Sequence, residues 1–143
     1  MMKIHHTWKH MLAASVAVLM ALFVATAHAM TSAEAEALAN ATLLQKDPGA
    51  LAKLQSAAQS GDANAQDWLG VMYANGQGVP QDDVIAYALF NVSATNDLSQ
   101  SNDAASNRKA IASRMTEQQV AEGQELTRRI QRIGVLKAID TMR

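Results

Sequence analysis

Residues 73–82 read Tyr-Ala-Asn-Gly-Gln-Gly-Val-Pro-Gln-Asp, and a chain with only seven glycines and two prolines places two of the one and one of the other here. Gly76 falls just past the end of a helical pattern, where a left-handed residue is wanted and glycine carries no Cβ penalty. Pro80 stops that helix from continuing, and Asp82 is placed to cap the next one. Val79, the apolar residue of the turn, is expected to plug the gap between the arms. The stretch is therefore a tight connection between two antiparallel helices.

Working outward, Asp62 to Asn75 carries Ala65, Leu69, Met72 and Tyr73 at helical spacing, and the second arm carries Ile85, Ala86, Leu89 and Phe90. Upstream, Thr31 to Glu34 fits a capping box. It opens a helix toward Lys46 with Leu38, Thr42 and Leu43 on one side. Asp47-Pro48-Gly49 separates it from a helix over 48–60. Downstream, 98–107 is polar and leads into a helix ending near Arg114. Thr116 to Gln119 fits a second capping box, with Met115 and Val120 as a hydrophobic staple. The last helix carries Val120, Leu126, Ile130 and Ile133. Alanine is abundant and β-branched runs are absent, so the expected fold is all-α: one domain of five or six short helices stacked as antiparallel pairs. A shift of 36 residues lays Ala50, Leu54, Ala57 and Ala58 on Ala86, Phe90, Ser93 and Ala94, which suggests repeated helix pairs.

The first 29 residues read as a secretory signal. Lys3 and Lys9 precede an uncharged run from Met11 to Ala27, and Ala27-His28-Ala29 is an A-x-A arrangement, so cleavage is predicted after Ala29. The mature domain is then 30–143, periplasmic or secreted, with no stable membrane anchor. It loses His5, His6, His10 and His28, which are all the histidines, and the chain has no cysteine. Serine and cysteine triads, the usual zinc ligands and disulfides are excluded with them. Ten Lys and Arg then stand against thirteen Asp and Glu, a balance that points away from nucleic acid.

The pattern Ala65-x3-Leu69-Gly70-x2-Tyr73-x2-Gly76-x-Gly78-Val79-Pro80-x-Asp82, followed by Ala86-x3-Phe90, is similar to the Sel1-like repeat, a tetratricopeptide-related helix pair. The resemblance is clearest over 63–97 and covers half of a preceding unit over 50–62. Residues 108–126 resemble the closing segment of exported bacterial members. It implies a helical-repeat scaffold that binds other proteins, several of its kind in bacterial envelopes, and it makes Leu69, Gly70, Tyr73 and Phe90 structural. No second copy of the glycine pattern follows Asp97, so a long superhelical groove is not expected.

Ser106-x-x-Lys109 has the spacing of a serine-enzyme nucleophile motif, but the chain lacks the companion triad and is too short for that fold. Asp62-x-Asn64-x-Gln66 fails as a calcium loop, with Asp67 where glycine is required and Tyr73 where glutamate is. No catalytic, metal or cofactor residues are assigned. The expected contact stripe is Trp68, Met72 and Asn75, beside the core stripe of one helix. The basic tail of Arg128, Arg129, Arg132, Lys137 and Arg143 is a second candidate. The expected function is a non-catalytic protein-binding module of the envelope. The alternatives are an immunity or inhibitor protein that occludes a toxin or hydrolase, and a cell-wall or β-lactam-acting enzyme. The short repeat count also makes a homodimer an expectation.

Overall fold

A computed structural model describes residues 29–45, 47–98 and 102–142. Of the segment 1–29 read as a signal, all but Ala29 lies outside the described residues, as do Lys46, residues 99–101 of the polar stretch, and Arg143. Seven helices and no strand are present among the described residues: α1 (Ser32–Gln45), α2 (Pro48–Gln59), α3 (Ala63–Asn75), α4 (Asp83–Asn96), α5 (Ala104–Ala112), α6 (Glu117–Ile133) and α7 (Val135–Asp140).

Local chemistry sets the boundaries. Asp47 caps α2 by accepting from the Gly49 nitrogen, with Pro48 at the first helical position. Asp62 caps α3 through the Ala65 nitrogen, and Asp82 caps α4 through the Val84 and Ile85 nitrogens. Gly76 ends α3 at φ 67°, in the left-handed region. Thr31 and Glu34 bond reciprocally ahead of α1, and Thr116 with Gln119 forms a full capping box on α6. Each such cap contributes about 1 kcal/mol.

Packing follows the chain from α1 to α5, and α6 then returns to α4 in place of α5. The most extensive contact is α3 against α4; α3 also touches α1, α2 and α5, and α4 also touches α5 and α6. All seven residues from Val84 to Phe90 are buried. A helix apolar on every side needs neighbours on every side. The contact with α3 is unusually close: a Cβ built on Gly70 would lie 2.6 Å from Phe90 Cε1 and 2.8 Å from Cδ1. Gly70 occupies a mid-helix position because the Phe90 ring takes the space of its missing side chain.

Two elements differ from the sequence expectation. The inner side of α1 is Ala35, Ala39 and Thr42, with Leu38 and Leu43 half-buried at its edge. The helix after Thr116 ends at Ile133, where Gly134 (φ 86°) starts the separate helix α7. That helix turns back onto α2, with Val135, Ala138 and Ile139 buried. The Leu136 nitrogen donates to Gln59 Oε1 at 2.9 Å, across 77 residues.

Gly70→Ala is expected to destabilise the chain. Overpacking of this kind costs about 1–3 kcal/mol, more than the roughly 1 kcal/mol that alanine gains over glycine inside a helix. Adding Phe90→Leu should recover part of the loss, because the two changes share one contact. Urea unfolding followed by circular dichroism decides it; an unchanged midpoint for Gly70→Ala would show that the ring moves aside freely.

Candidate functional site

The three residues expected to form a contact stripe on α3 are placed differently. Asn75 is exposed at the helix end, with its Nδ2 3.4 Å from Gln77 Oε1. Trp68 is half-buried against the core. Met72 is 1% exposed and is a core residue, which removes it from any surface of this conformation. The reason is that α3 meets helices on several sides, so a stripe lying beside its main core stripe is itself covered. Of the repeat-pattern residues, Ala65, Leu69, Gly70, Tyr73, Ala86 and Phe90 are all buried. Gly76 and Gly78 take positive φ, Pro80 is exposed, and Val79 packs against the core.

The most defined recess near Asn75 is a groove of about 200 Å³ between α3 and α5, with Val71, Ala74 and Asn75 on one wall and Asn107, Ala110 and Arg114 on the other. Arg114 pins its rim. The guanidinium donates through Nη2 to Asp83 Oδ1 at 2.7 Å and to the Ala74 carbonyl at 2.9 Å, tying the ends of α3, α4 and α5. Its side chain is 48% exposed, so the pair itself contributes on the order of 0–1 kcal/mol. Its larger consequence is positional. It holds a cation at one end of a groove whose walls are mostly small and apolar.

Polar residues at the other end of these helices form a network that the sequence reading does not single out. Gln66 is 2% exposed; its Nε2 donates to the Ala58 carbonyl at 3.0 Å, and its Oε1 accepts from Asn96 at 3.0 Å. Ser93 Oγ donates to the Ala63 carbonyl at 2.7 Å and accepts from Asn102 at 2.9 Å. Asp67 is 6% exposed and accepts from Asn107 Nδ2 at 3.0 Å. Burial pushes its carboxyl above the usual range; the Asn107 hydrogen bond opposes this, while nearby Asp103 and Asp97 add to it. The signal available in sequence is only a polar pair, Gln66-Asp67, inside an otherwise apolar helix. Among the described residues no group of three or more His, Cys, Asp or Glu is placed to hold a metal ion.

Three arginines of the basic tail, Arg128, Arg129 and Arg132, gather near Glu125 on α6. Arg128 bonds Glu125 at 2.7 Å, Arg132 lies 3.7 Å from the same carboxylate, and Arg129 donates to Thr141 Oγ1 at 3.2 Å. Arg128 holds the Glu125 carboxyl below its usual range. Ser106 and Lys109 are both exposed on α5, and no hydrogen bond joins them.

The raised Asp67 carboxyl has a definite sign for stability. Its pKa is higher folded than unfolded, so at neutral pH the folded state carries a charge it holds less well than the unfolded chain does. Asp67→Asn is expected to raise the melting temperature at pH 7, since an amide oxygen still accepts from Asn107. The advantage should shrink as pH falls through the range above the carboxyl's ordinary 3.8, where Asp67 takes up its proton in the fold. Scanning calorimetry of both proteins from pH 7 to pH 4 checks it; a lower melting temperature for the variant at pH 7 would show that the charge is used.

No family model, curated protein or solved structure matches this chain.

Proposed function

We propose that this chain is an exported, non-catalytic helical-repeat module that binds another protein of the bacterial envelope. The observation that carries the proposal is the groove between α3 and α5. In the repeat reading these are the first arms of the units α3–α4 and α5–α6, although α5 packs on α4 and makes no comparable contact with α6. Leu54, Phe90 and Leu126 support the repeat reading. They stand 36 residues apart on the second arms α2, α4 and α6, and are 0%, 2% and 2% exposed. With the pattern over 63–97 this favours the Sel1-like resemblance, departing from it in the long polar connection between α4 and α5. A recess lined by Val71, Ala74, Phe90, Ala110 and Ile111, with the side-chain amides of Asn75 and Asn107 beside them, suits a peptide segment or helix that carries apolar side chains and a hydrogen-bonding group.

Export is inferred from the basic start, apolar run and A-x-A arrangement of residues 1–29. No helix among the described residues is long and apolar enough to cross a membrane.

Met72→Ala is a poor probe of binding, because emptying a core site of this type costs about 2–5 kcal/mol. Asn75→Arg combined with Ala110→Glu changes two exposed residues of the groove and leaves the core intact. With the exported protein immobilised, envelope extract is expected to leave one dominant protein in about 1:1 ratio. The double variant should reduce retention at least about tenfold, equivalent to ~1.4 kcal/mol. If the retained protein is a hydrolase or toxin whose activity falls on binding, the module is an inhibitor. Retention that is equal for both proteins would remove the α3–α5 groove from the proposal.

A further inference from the structure

Met30 is held at both of its backbone polar groups. Its backbone nitrogen donates to Asp62 Oδ2 across 32 residues, and its carbonyl accepts from Asn64 Nδ2 at 2.7 Å. Its side chain packs on the core, whereas Ala29 before it is exposed. Asp62 uses its other oxygen, Oδ1, to cap α3 through the Ala65 nitrogen at 2.8 Å. Asn64 Oδ1 is buried and has no hydrogen-bond partner.

We propose that the Ala29–Met30 bond is the processing site of this protein, and that Asp62 and Asn64 form a built pocket for the α-ammonium group that processing creates. The inference rests on the export reading above, since the bond in question directly follows the A-x-A arrangement. In the cleavage, water adds to the Ala29 carbonyl carbon and the C–N bond to Met30 breaks under a peptidase of the exporting cell. Ala29 leaves as a carboxylate, and the Met30 nitrogen takes up protons to become an ammonium.

Three observations favour an ammonium at this position over the peptide N–H of an uncut chain. The nitrogen already sits on a carboxylate, so protonation turns a hydrogen bond into a charge-assisted one. A peptide nitrogen has one proton, and Asp62 takes it; an ammonium has three, which supplies the donors that the orphaned Asn64 oxygen lacks. Met30 is also held individually, half-buried between an exposed Ala29 and the exposed residues Thr31 to Glu34. The setting is otherwise hostile to a cation, because the N-terminal ends of α1 and α3 both point their positive poles toward it. That makes the counter-ion necessary, not incidental. The charged groups on the surrounding elements are Glu34 and Glu36 on α1, Lys53 on α2, and Asp62 and Asp67 at the start of α3. Of these, Asp62 bonds the Met30 nitrogen and Glu34 bonds the next one, that of Thr31, at 2.8 Å.

The test begins with the full 143-residue chain expressed in an exporting bacterial host. Intact mass of the recovered protein should correspond to a chain starting at Met30. A start at another residue overturns the proposal and leaves export standing, whereas no cleavage overturns both. The α-amine of the recovered protein should then be acylated about fivefold more slowly at pH 8 than that of a free Met-Thr-Ser peptide, as a one-unit rise above the ordinary ~8 gives. A start at Met30 with peptide-like reactivity overturns the pocket and leaves export standing. Asp62→Asn isolates the charge, because asparagine caps a helix as well as aspartate does. An amine whose pKa is raised by folding stabilises the fold below its ordinary range, and the benefit disappears as pH climbs through the raised value. The melting temperature of the processed wild type should therefore exceed that of Asp62→Asn at pH 7, with the gap closing by about pH 10. A gap that does not change with pH would show that Asp62 serves only as a neutral acceptor for the Met30 nitrogen, and would overturn the ammonium pocket.

Discussion

The edge of the Phe90 ring fills the volume that a side chain at Gly70 would take, and that contact sets how near α3 and α4 lie. The same device operates one turn earlier on an adjoining face of α4. There the Tyr87 ring lies where a Cβ on Gly123 of α6 would be, 2.6 Å from its Cδ1. The central helix thus carries two aromatic rings, and each is received by a glycine on a neighbour. Because the rings sit over backbone rather than between side chains, their positions admit little adjustment. Once α3 and α6 are held at these distances from α4, the remaining faces of α4 are narrow, and small residues such as Ala86 and Ala88, both 0% exposed, line them.

An interior this rich in alanine has a cost in specificity. Alanine faces slide on one another with little penalty, since one small side chain resembles the next. The polar network at the start of α3 supplies what the apolar packing lacks. Gln66 measures the distance from the end of α2 to the end of α4, Ser93 fixes α4 against the first residue of α3, and Asn107 fixes α5 against Asp67. A slip of one residue would leave buried donors and acceptors unmatched, at about 1–3 kcal/mol each. Asp67 is the member that does this least economically, since its charge is penalised by the burial that makes it specific. No disulfide is available to do the same work.

What the sequence made legible follows from where local chemistry decides the outcome. The hairpin turn was readable because glycine, proline and a capping aspartate each have a short-range backbone preference at the place the chain needs it. Both capping boxes were readable for the same reason. Burial was less so. Periodicity puts Met72 both on the apolar stripe with Ala65, Leu69 and Tyr73 and in line with Trp68 and Asn75 beside it, so spacing alone leaves its side open, and the several neighbours of α3 close it inward. In α1 the leucines drew the expected stripe to Leu38 and Leu43, while the structure turns Ala35 and Ala39 inward because a close approach needs small residues. Gly134 was the hardest to read. The apolar spacing from Ile130 through Ile133 to Leu136 runs across it without a break, and what converts the glycine into a helix boundary is Gln59, which lies 75 residues away. A residue whose role is set by so distant a partner leaves no local mark.

Gln59 also reveals how the fold is closed. It ends α2 and takes the Leu136 nitrogen, while Asp62, three positions on, takes the Met30 nitrogen. One short turn therefore binds chain from both ends of the described structure, over separations of 77 and 32 residues. Contacts that close such long loops repay their entropy only after the segments between them are in place. The local α3–α4 hairpin needs no such help, so it is the natural nucleus, and the two ends dock last on the turn just before it. This closure has a functional consequence. A short stack of helix pairs would be expected to leave apolar end surfaces for a neighbour to cover. In this chain the segment at Met30 and the helix α7 are laid over the α2–α3 region, while Ile133, Leu136 and Met142 at the α7 end stay exposed, and the recess between α3 and α5 is bounded by Asn75 and Arg114.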